Sequence, residues 1–162
     1  MAKEKTPVTP AVRALRAAKV EFADYPYTYE DHGGTALSAR MLGVDEHCVV
    51  KTIVMEDYGK KPLIVLMHGD LEVSGKQLAR LVGCRNITAC TPETANKHTG
   101  YLVGGISPFG TRCAMPVYME ETILALPRIY INGGKRGYLV GMDPKDAARM
   151  LNPVFVRAGI PK

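Results

Sequence analysis

Residues 48–55 read CVVKTIVM, and residues 62–67 read PLIVLM. Both runs consist mainly of β-branched and other apolar residues, which favour β-strands, and the polar residues 56–61 between them are typical of a turn. We therefore predict that the two runs form a hairpin at the centre of the fold. Lys51 is the one charged residue within either run. Its environment decides whether the first strand is purely structural or also contributes a functional residue.

The sequence predicts both helices and strands on either side of this hairpin. They do not follow the strict strand–helix–strand alternation that is typical of a parallel sheet. Residues 9–19 combine a Thr-Pro start with apolar residues at helical spacing, whereas residues 20–29 alternate, with Pro26 indicating an edge strand. Further helices are predicted at residues 35–42, 74–83, 91 onward and 143–151. Further strands are predicted at residues 87–90, 101–106, 115–119, 128–131, 138–140 and 153–156. The chain is therefore assigned to the mixed α+β, or mixed α/β, class.

The length and composition indicate one globular domain. The chain has 162 residues, of which 46% are hydrophobic and 23% charged, as in an ordinary folded domain. No window reaches the roughly 20 apolar residues of a membrane span, and residues 1–10 lack the apolar run of a secretory signal. We expect a cytoplasmic protein without a membrane partner, a flexible segment at residues 1–8 and one domain over residues 9–162.

The charge balance favours a polyanionic partner. Lysine and arginine together number 21, aspartate and glutamate 16, and the formal net charge is +5. This excess is far below that of a histone-like protein, but it suits binding to a polyanion. The alternative is a set of solvated surface lysines without a partner.

The cysteines and histidines show no metal-binding spacing. The cysteines are Cys48, Cys84, Cys90 and Cys113, and the histidines are His32, His47, His68 and His98. They form no CxxC pair and no zinc pattern, so we expect reduced thiols, no metal and no cofactor. Cys48 comes three residues before Lys51, and a lysine can lower the pKa of a thiol. Thiol chemistry at Cys48 is therefore kept as an alternative.

Lys51 is the first candidate functional residue. An ammonium in an otherwise apolar strand either reaches water along the surface or faces a site that uses its charge. By strand alternation Lys51 shares a face with Val49 and Ile53, while Val50 and Thr52 face the other way. If Lys51 faces a site, its ammonium can hold a phosphate, a carboxylate or an ester oxygen.

Two glycine-rich segments are the next candidates. Residues 100–110 read GYLVGGISPFG, and glycines within such an apolar run let a ligand or another backbone approach closely. Residues 132–137 read NGGKRG, a hairpin-like loop whose Lys135 and Arg136 can contact a phosphate backbone. Neither segment is a Walker loop or a dinucleotide fingerprint, and Ser107 lacks the context of a serine-hydrolase elbow. Each also has a purely structural interpretation, as a bulge with a tight turn and as an exposed turn.

Together these segments resemble the YbaK/EbsC family. The resemblance rests on residues 50–52 (VKT), residues 99–110 (TGYLVGGISPFG), residues 129–137 (IYINGGKRG) and residues 9–12 (TPAV). It covers about residues 9–157 of the chain. Members of this family are Cys-tRNA(Pro) and Cys-tRNA(Cys) deacylases, and they are similar to the editing domain inserted in bacterial prolyl-tRNA synthetases.

The resemblance implies a fold and an activity. The implied fold is a single α/β (mixed α+β) domain around a mixed, largely antiparallel sheet flanked by helices. The implied activity is hydrolysis, in trans, of the ester that joins a mischarged amino acid to tRNA, with Cys-tRNA(Pro) as the foremost substrate. The implied partners are mischarged tRNA(Pro) and, as a candidate, prolyl-tRNA synthetase.

The resemblance also implies site residues. Lys51 falls on the essential lysine of the family, whose charge orients the terminal phosphate or the ester, and is the implied catalytic residue. The implied substrate-binding residues are Tyr27, Thr52, Gly104, Gly105, Ile106, Ser107, Pro108, Asn132, Lys135 and Arg136. Residues 104–108 fall on the GxxxP loop, whose backbone contacts the substrate carbonyl and the terminal ribose. Tyr29 takes the place of Tyr27 if two residues are inserted before it.

The implied mechanism needs no protein nucleophile. An aminoacyl ester is already activated, so positioning and stabilisation of the developing oxyanion suffice, and a cysteinyl substrate attacks its own carbonyl with its thiol. Asn132 stands where the family often has serine, and Leu139 where it often has an acid, which leaves the edited amino acid open. Two alternatives remain: a deacylase that prefers Ala-tRNA(Pro), and a non-catalytic tRNA- or nucleotide-binding module that assists a synthetase.

Overall fold

The computed structural model describes residues 6–162. Its five α-helices are α1 (Pro10–Ala17), α2 (Gly34–Leu42), α3 (Gly75–Val82), α4 (Pro92–Thr99) and α5 (Pro144–Leu151). Its ten β-strands are β1 (Ala23–Pro26), β2 (Val49–Asp57), β3 (Pro62–His68), β4 (Leu71–Val73), β5 (Ile87–Ala89), β6 (Val117–Glu120), β7 (Ile129–Lys135), β8 (Tyr138–Met142), β9 (Val154–Val156) and β10 (Gly159–Pro161). Short 3-10 helices span Glu46–Cys48 and Glu121–Ala125. The first five residues of the expected flexible segment 1–8 lie outside this description.

Capping residues set the ends of the helices. The Thr9 Oγ1 accepts a hydrogen bond of 3.0 Å from the Val12 N–H and so begins α1. Gly43 and Gly83 adopt the left-handed conformation that ends α2 and α3. The helices predicted over residues 9–19, 35–42, 74–83 and 143–151 are confirmed within one to two residues at each end. None of the helices within residues 6–162 is both long enough and apolar enough to cross a membrane.

The main sheet is mixed and has eight strands in the order β1-β8-β7-β2-β3-β6-β9, with β5 pairing to β2. The predicted central hairpin is β2 and β3, in which Lys51 lies opposite Met67. Four of the strand pairings are antiparallel, and three are parallel. The prediction of a single mixed α+β domain around a mixed, largely antiparallel sheet is confirmed. The prediction that Pro26 belongs to an edge strand is confirmed as well, because β1 ends the sheet.

The two faces of the central hairpin bury different side chains. Val50, Ile64 and Leu66 belong to the larger apolar cluster, which includes Leu15 of α1. Val49 contributes to a separate small cluster. Neighbouring residues of β2 therefore bury against opposite sides of the sheet, as the alternation predicts, and Lys51 emerges on the Val49 side.

A second sheet consists of β4 and β10 alone, and sequence reasoning did not predict β10. The two strands are antiparallel, with Gly159 opposite Val73 and Pro161 opposite Leu71. Because β4 follows directly on β3, this pairing brings Lys162 back to the end of the central hairpin.

Two of the sequence predictions about local structure were wrong. Residues 101–106 form no strand: the Gly105 N–H donates to the Leu102 carbonyl at 2.8 Å, which closes a turn, and Gly104 has a φ of +92°. A left-handed residue at this point interrupts the extended backbone that the apolar pattern predicted. Residues 132–135 belong to β7 and are not a loop, since the pairing with β8 continues to Lys135 across a bulge.

Candidate active site

A cavity of about 580 Å³ brings together most of the predicted site residues. Its lining comes from the segment before α2, the start of β2, the loop before Ser107, the β7–β8 region and the last residue, Lys162. The predicted site residues that line it are Tyr27, Lys51, Thr52, Gly104, Ile106, Asn132 and Arg136. The alternative tyrosine, Tyr29, lines it as well, so the cavity accommodates both assignments.

Four of the predicted substrate-binding residues do not line the cavity. Ser107 is fully buried, and its Oγ accepts a hydrogen bond of 3.2 Å from the Phe109 N–H. Gly105 and Pro108 are buried beside it, and Lys135 is exposed outside the cavity. A Cβ at position 105 would lie 2.7 Å from the Arg136 backbone nitrogen, so this glycine permits a close approach of two chain segments. The loop therefore presents Gly104 and Ile106 to the cavity, while the residues around them fix its shape.

Lys51 reaches the cavity with its hydrogen-bonding capacity unused. Its side chain is half-buried, and its ammonium has no acceptor within hydrogen-bonding distance among residues 6–162. Burial lowers the pKa of Lys51, and the positive charge of Lys162 lowers it further, whereas Glu72, Glu46 and Asp70 act in the opposite direction. A partly desolvated ammonium with three unused N–H groups is able to bind an anion.

Gly104 lies against the Tyr29 side chain and has a left-handed backbone conformation. A Cβ at this position would be 2.6 Å from the Tyr29 Oη, and its φ of +92° disfavours other residues. The Arg136 guanidinium lies over the Tyr29 ring at 5.2 Å from its centroid, and the Arg136 Nε donates to the Val103 carbonyl at 2.9 Å. Tyr29 and Arg136 thus hold the glycine loop at the edge of the cavity.

Asn132 connects this loop to the bulge in β7. Its Oδ1 accepts hydrogen bonds from the Gly134 N–H at 2.7 Å and the Lys135 N–H at 3.2 Å. Its Nδ2 donates to the Gly104 carbonyl at 3.2 Å. Asn132 lines the cavity, but these contacts give its amide a structural role in placing Gly104.

Two other predicted residues carry polar groups into the lining. Burial raises the pKa of the Tyr27 hydroxyl, an effect that the hydrogen bond with Gly137 partly offsets and the neighbouring Tyr29 reinforces. The Thr52 Oγ1 is buried and has no hydrogen-bond partner within residues 6–162. An unpaired buried hydroxyl is uncommon in folded proteins, and a substrate oxygen or a water molecule would satisfy it.

Sequence reasoning missed a second lysine at the cavity. The Lys162 Nζ donates to the Glu46 Oε2 at 2.9 Å, and the Thr35 Oγ1 donates to the same oxygen at 2.7 Å. Burial alone would raise the pKa of Glu46, but the hydrogen bonds from Thr35 and Lys162 and the Lys162 charge hold it below its usual value. Lys51 and Lys162 are called the lysine pair below. No sequence signal joined these residues, because the unpredicted strand β10 brings Lys162 to the site.

A second polar group lies beside the lysine pair and is called the histidine cluster here: His47, His68, Asp70 and Thr122. The His47 Nδ1 lies 2.9 Å from the Asp70 Oδ1, and the two imidazoles stack with centroids 3.7 Å apart. The His68 Nδ1–H donates to the His47 carbonyl at 2.8 Å, so its Nε2 accepts from the Thr122 hydroxyl at 2.7 Å. Burial lowers the pKa of His68.

The histidine cluster also groups three side chains that are able to bind a metal. Ligand atoms of His47, His68 and Asp70 lie within 4.8 Å of one another, although the sequence showed no metal-binding spacing. Both ring nitrogens of His68 are already engaged, and stacked parallel rings do not direct two nitrogens at one ion. We therefore assign the cluster a structural role.

The structure gives Cys48 no features of an activated thiol. Its side chain does not line the cavity. Burial raises its pKa, and the negative charges of Asp45 and Asp70 raise it further. The effect expected from the nearby Lys51, a lowered thiol pKa, is therefore not observed.

The sequence of the chain matches the family described as aminoacyl-tRNA editing domain over residues 32–150. The chain belongs to this family. The resemblance predicted from the lysine and glycine segments is thereby confirmed. The matched range contains Lys51, Gly104 and Arg136 and does not include Lys162.

Relatives of this editing domain include separate chains and parts of larger enzymes. The Enterococcus faecalis protein EbsC, provisionally named a Cys-tRNA(Pro)/Cys-tRNA(Cys) deacylase, is 29% identical over 157 residues, which cover 96% of each chain. The proline–tRNA ligase of Moorella thermoacetica is 31% identical over 116 residues, which cover 71% of this chain and 19% of the ligase. The chain thus spans about a fifth of that ligase.

Solved structures share the fold of this editing domain. The hypothetical protein APE2540 superimposes with a TM-score of 0.85 at 20% identity, covering 94% of this chain and 100% of that one. A protein provisionally described as a trans-editing enzyme for prolyl tRNA synthetase superimposes with a TM-score of 0.80 at 22% identity, covering 95% and 99%. Both likenesses extend over nearly the whole chain, so the entire fold is shared.

Proposed function

We propose that this editing domain hydrolyses, in trans, the ester bond of mischarged tRNA, with Cys-tRNA(Pro) as its foremost substrate. Family membership and the end-to-end similarity to EbsC support the reaction class. The observation that carries the proposal is the presence in one cavity of the Lys51 ammonium, which has no acceptor among residues 6–162, and the Gly104 backbone.

In this proposal Lys51 binds the 3′ end of the tRNA and fixes the ester next to the glycine loop. The loop offers the Gly104 N–H, which has no acceptor among residues 6–162, to the carbonyl oxygen of the ester. A backbone N–H directed at an oxygen that becomes negative in the transition state stabilises that charge. The Gly105 N–H cannot serve in the same way, because it already donates to Leu102.

The attacking group comes from the substrate in this mechanism. Ser107 is engaged with Phe109, and Cys48 lies outside the cavity, so neither is placed to attack. In Cys-tRNA(Pro) the substrate sulfur bonds to the carbonyl carbon, the ester C–O bond breaks, and the thiol proton passes to the leaving ribose oxygen. Water then opens the resulting thiolactone to free cysteine. The protein contributes position and charge stabilisation, which an activated ester needs.

A deacylation panel tests this function. Purified protein is incubated with Cys-tRNA(Pro), Cys-tRNA(Cys), Ala-tRNA(Pro) and Pro-tRNA(Pro), and the loss of each ester is compared with its loss in buffer. We expect rapid loss of the cysteinyl esters and retention of Pro-tRNA(Pro). If no ester disappears faster than in buffer, the proposed function is wrong. Faster loss of Ala-tRNA(Pro) than of Cys-tRNA(Pro) would support the proposed reaction, but it would show that alanine is the edited amino acid.

A blocked substrate tests the role of the thiol separately. We expect S-methylcysteinyl-tRNA(Pro) to resist hydrolysis, because a thioether cannot form the thiolactone. Ala-tRNA(Pro) is the matched control, since it lacks the sulfur altogether. Rapid hydrolysis of the S-methyl substrate would show that water attacks the ester directly.

Prolyl-tRNA synthetase is the proposed partner of this cytoplasmic activity. A related region lies within the much longer proline–tRNA ligase of Moorella thermoacetica, so a region of this kind shares one chain with a proline–tRNA ligase. An editing domain on a separate chain has to bind the mischarged tRNA while the synthetase releases it or afterwards. We expect deacylation of Cys-tRNA(Pro) at limiting enzyme concentration to rise when the synthetase is added, and an unchanged rate would contradict the partnership.

A further inference from the structure

We infer that the Lys162 ammonium is a second phosphate-binding group of the cavity. Together with Lys51 it binds the 3′-terminal phosphodiester of tRNA. This inference rests on the proposed function and adds to it a residue outside the family match, which ends at residue 150. Lys162 lines the same cavity as Lys51.

The approach of Lys162 to the cavity is built into the fold. The segment before it is fixed by the buried Glu120 carboxylate, which accepts hydrogen bonds from the Ala158 N–H at 2.7 Å and the Gly159 N–H at 3.0 Å. Strand β10 then pairs with β4 up to Pro161. The residue that follows this pairing is therefore brought to the cavity by the backbone contacts of the segment before it, while Ile160, Pro161 and Lys162 are themselves exposed.

Glu46 orients Lys162 without using up its donors. An ammonium has three N–H groups, and a single hydrogen bond joins Lys162 to Glu46. Glu46 does not itself line the cavity, and Thr35 holds its carboxylate through the same oxygen. Lys162 therefore keeps two N–H groups for a ligand while its position is maintained.

The charges of the lysine pair favour an anion between them. The Lys51 side chain is half-buried and that of Lys162 is exposed, and repulsion between their charges lowers the pKa of Lys51 in addition to its burial. An anion bound to both lysines would convert the repulsion into two charge-assisted hydrogen bonds. The charges of Glu72, Glu46 and Asp70 act on Lys51 in the opposite direction, but none of these carboxylates accepts a hydrogen bond from its ammonium.

The chemistry of an aminoacyl-tRNA identifies this anion as a phosphate. The carboxyl group of the amino acid is esterified and its amino group is cationic, so neither supplies a negative charge. The anionic groups close to the ester are the phosphodiesters of the 3′ end. A lysine binds such a group as a point charge and does not depend on the base beside it.

Salt-dependent binding tests the inference independently of hydrolysis. The probe is an RNA minihelix that ends in CCA and carries cysteine on its terminal adenosine through a 3′-amide, which cannot be deacylated by ester hydrolysis. We compare wild-type protein with Lys162→Gln. The matched control is Lys60→Gln, because Lys60 also pairs with a glutamate, Glu56, at 3.2 Å but lies outside the cavity.

Loss of one phosphate contact has a defined signature. For Lys162→Gln we expect the Kd to rise about fivefold, the size of a partly exposed charge-assisted hydrogen bond. The slope of log K against log salt concentration should become shallower by about 0.7, the value for one phosphate of a single strand. In the deacylation of Cys-tRNA(Pro) by Lys162→Gln, KM should increase while kcat stays the same. Lys60→Gln should match the wild type, and an unchanged salt slope in Lys162→Gln would overturn the inference.

A second variant separates phosphate binding from a merely structural latch between Lys162 and Glu46. In Glu46→Gln the amide still accepts a hydrogen bond from Lys162, but the competing negative charge is gone. Phosphate binding by Lys162 predicts tighter probe binding in Glu46→Gln and weaker binding in Lys162→Gln. A latch predicts weaker binding in both variants and would overturn the inference. Failure of the wild-type protein to bind the probe would instead reject the proposed function, on which the inference rests.

Discussion

Glu46 and His47 are neighbours in the chain, yet they belong to polar groups of opposite character. His47 belongs to the histidine cluster, in which both nitrogens of His68 have partners. Glu46 holds Lys162 of the lysine pair, whose other member, Lys51, has no acceptor among residues 6–162. Both groups lie at the same end of the central hairpin.

The difference between the two groups indicates what each does. Within the histidine cluster only His68 is buried, and hydrogen bonds that satisfy both nitrogens of such a buried ring stabilise a single folded arrangement. A charged group without an acceptor at a cavity, as Lys51 is among residues 6–162, costs stability until a ligand pairs with it. Substitution of His68 should therefore change the free energy of unfolding, and substitutions in the lysine pair should change binding and catalysis.

The largest expected effect is that of Lys51→Ala on catalysis. Loss of the charge that binds the 3′ end, and so fixes the ester at the glycine loop, should reduce deacylation of Cys-tRNA(Pro) by about 100-fold to 1,000-fold. Stability to urea should stay the same or increase, because the variant removes a desolvated charge that is repelled by Lys162. The control is Lys61→Ala, an exposed lysine in the hairpin turn. Retained activity in folded Lys51→Ala would remove Lys51 from the mechanism.

His68→Ala should show the reverse pattern. The imidazole is completely buried, so its loss leaves a cavity and removes the hydrogen-bond partner of the His47 carbonyl. We expect the free energy of unfolding to fall by about 3 kcal/mol, measured by urea denaturation. Deacylation per folded molecule should change less than twofold. A large catalytic loss in the folded variant would contradict the separation of the two groups.

Most of the fold could be predicted because its signals are local. The apolar runs that became β2 and β3, and the caps at Thr9 and Gly83, depend on residues close together in the sequence. Residues 101–106 misled the prediction, since an apolar run resembles a strand until its backbone turns at Gly104. The turn is fixed by contacts with Tyr29 and Arg136 that are distant in the chain.

The candidate site was predictable only in part, for the same reason. Lys51 stood out as a charge within an apolar strand, and the glycine segment stood out by its composition. Lys162 gave no such signal, because its importance depends on the pairing of β10 with β4 and on Glu46. Ser107 and Lys135 illustrate the converse, since they belong to the recognised segments but the fold turns them away from the cavity.

A change in the shape of the cavity at Gly104 should reduce deacylation less than the loss of the Lys51 charge does. Its effect should still be larger than that of a small change in the pKa of Lys51. In Gly104→Ala the added Cβ would lie 2.6 Å from the Tyr29 Oη, at a φ of +92°, so the loop or the Tyr29 ring has to move. We expect kcat/KM to fall about tenfold because the ester is misplaced. Gly59→Ala is the control, since its Cβ would meet only Asp57 at 3.4 Å. Wild-type kcat/KM in Gly104→Ala would show that the loop backbone does not contact the substrate.

The smallest expected effect is a shift in the titration of Lys51, and it probes the lysine pair without any substrate. Burial and the Lys162 charge lower the pKa of Lys51 from the ordinary value of 10.5, while Glu46 raises it. In ¹³C NMR spectra of the lysine ε-carbons, the Lys51 midpoint should therefore move up in Lys162→Gln and down in Glu46→Gln. The titration of His68 should stay unchanged in both variants.

The lowered pKa of Lys51 also determines whether the stability of the protein rises or falls with pH. Between its lowered folded pKa and 10.5, Lys51 binds fewer protons in the folded state than in the unfolded state, so its contribution to stability rises with pH across that window. Lys162→Gln should make this rise smaller, because it brings the two pKa values of Lys51 closer together. Equal Lys51 midpoints in wild type and Lys162→Gln would mean that the two ammonium groups do not interact, and the lysine pair would then be two separate surface charges.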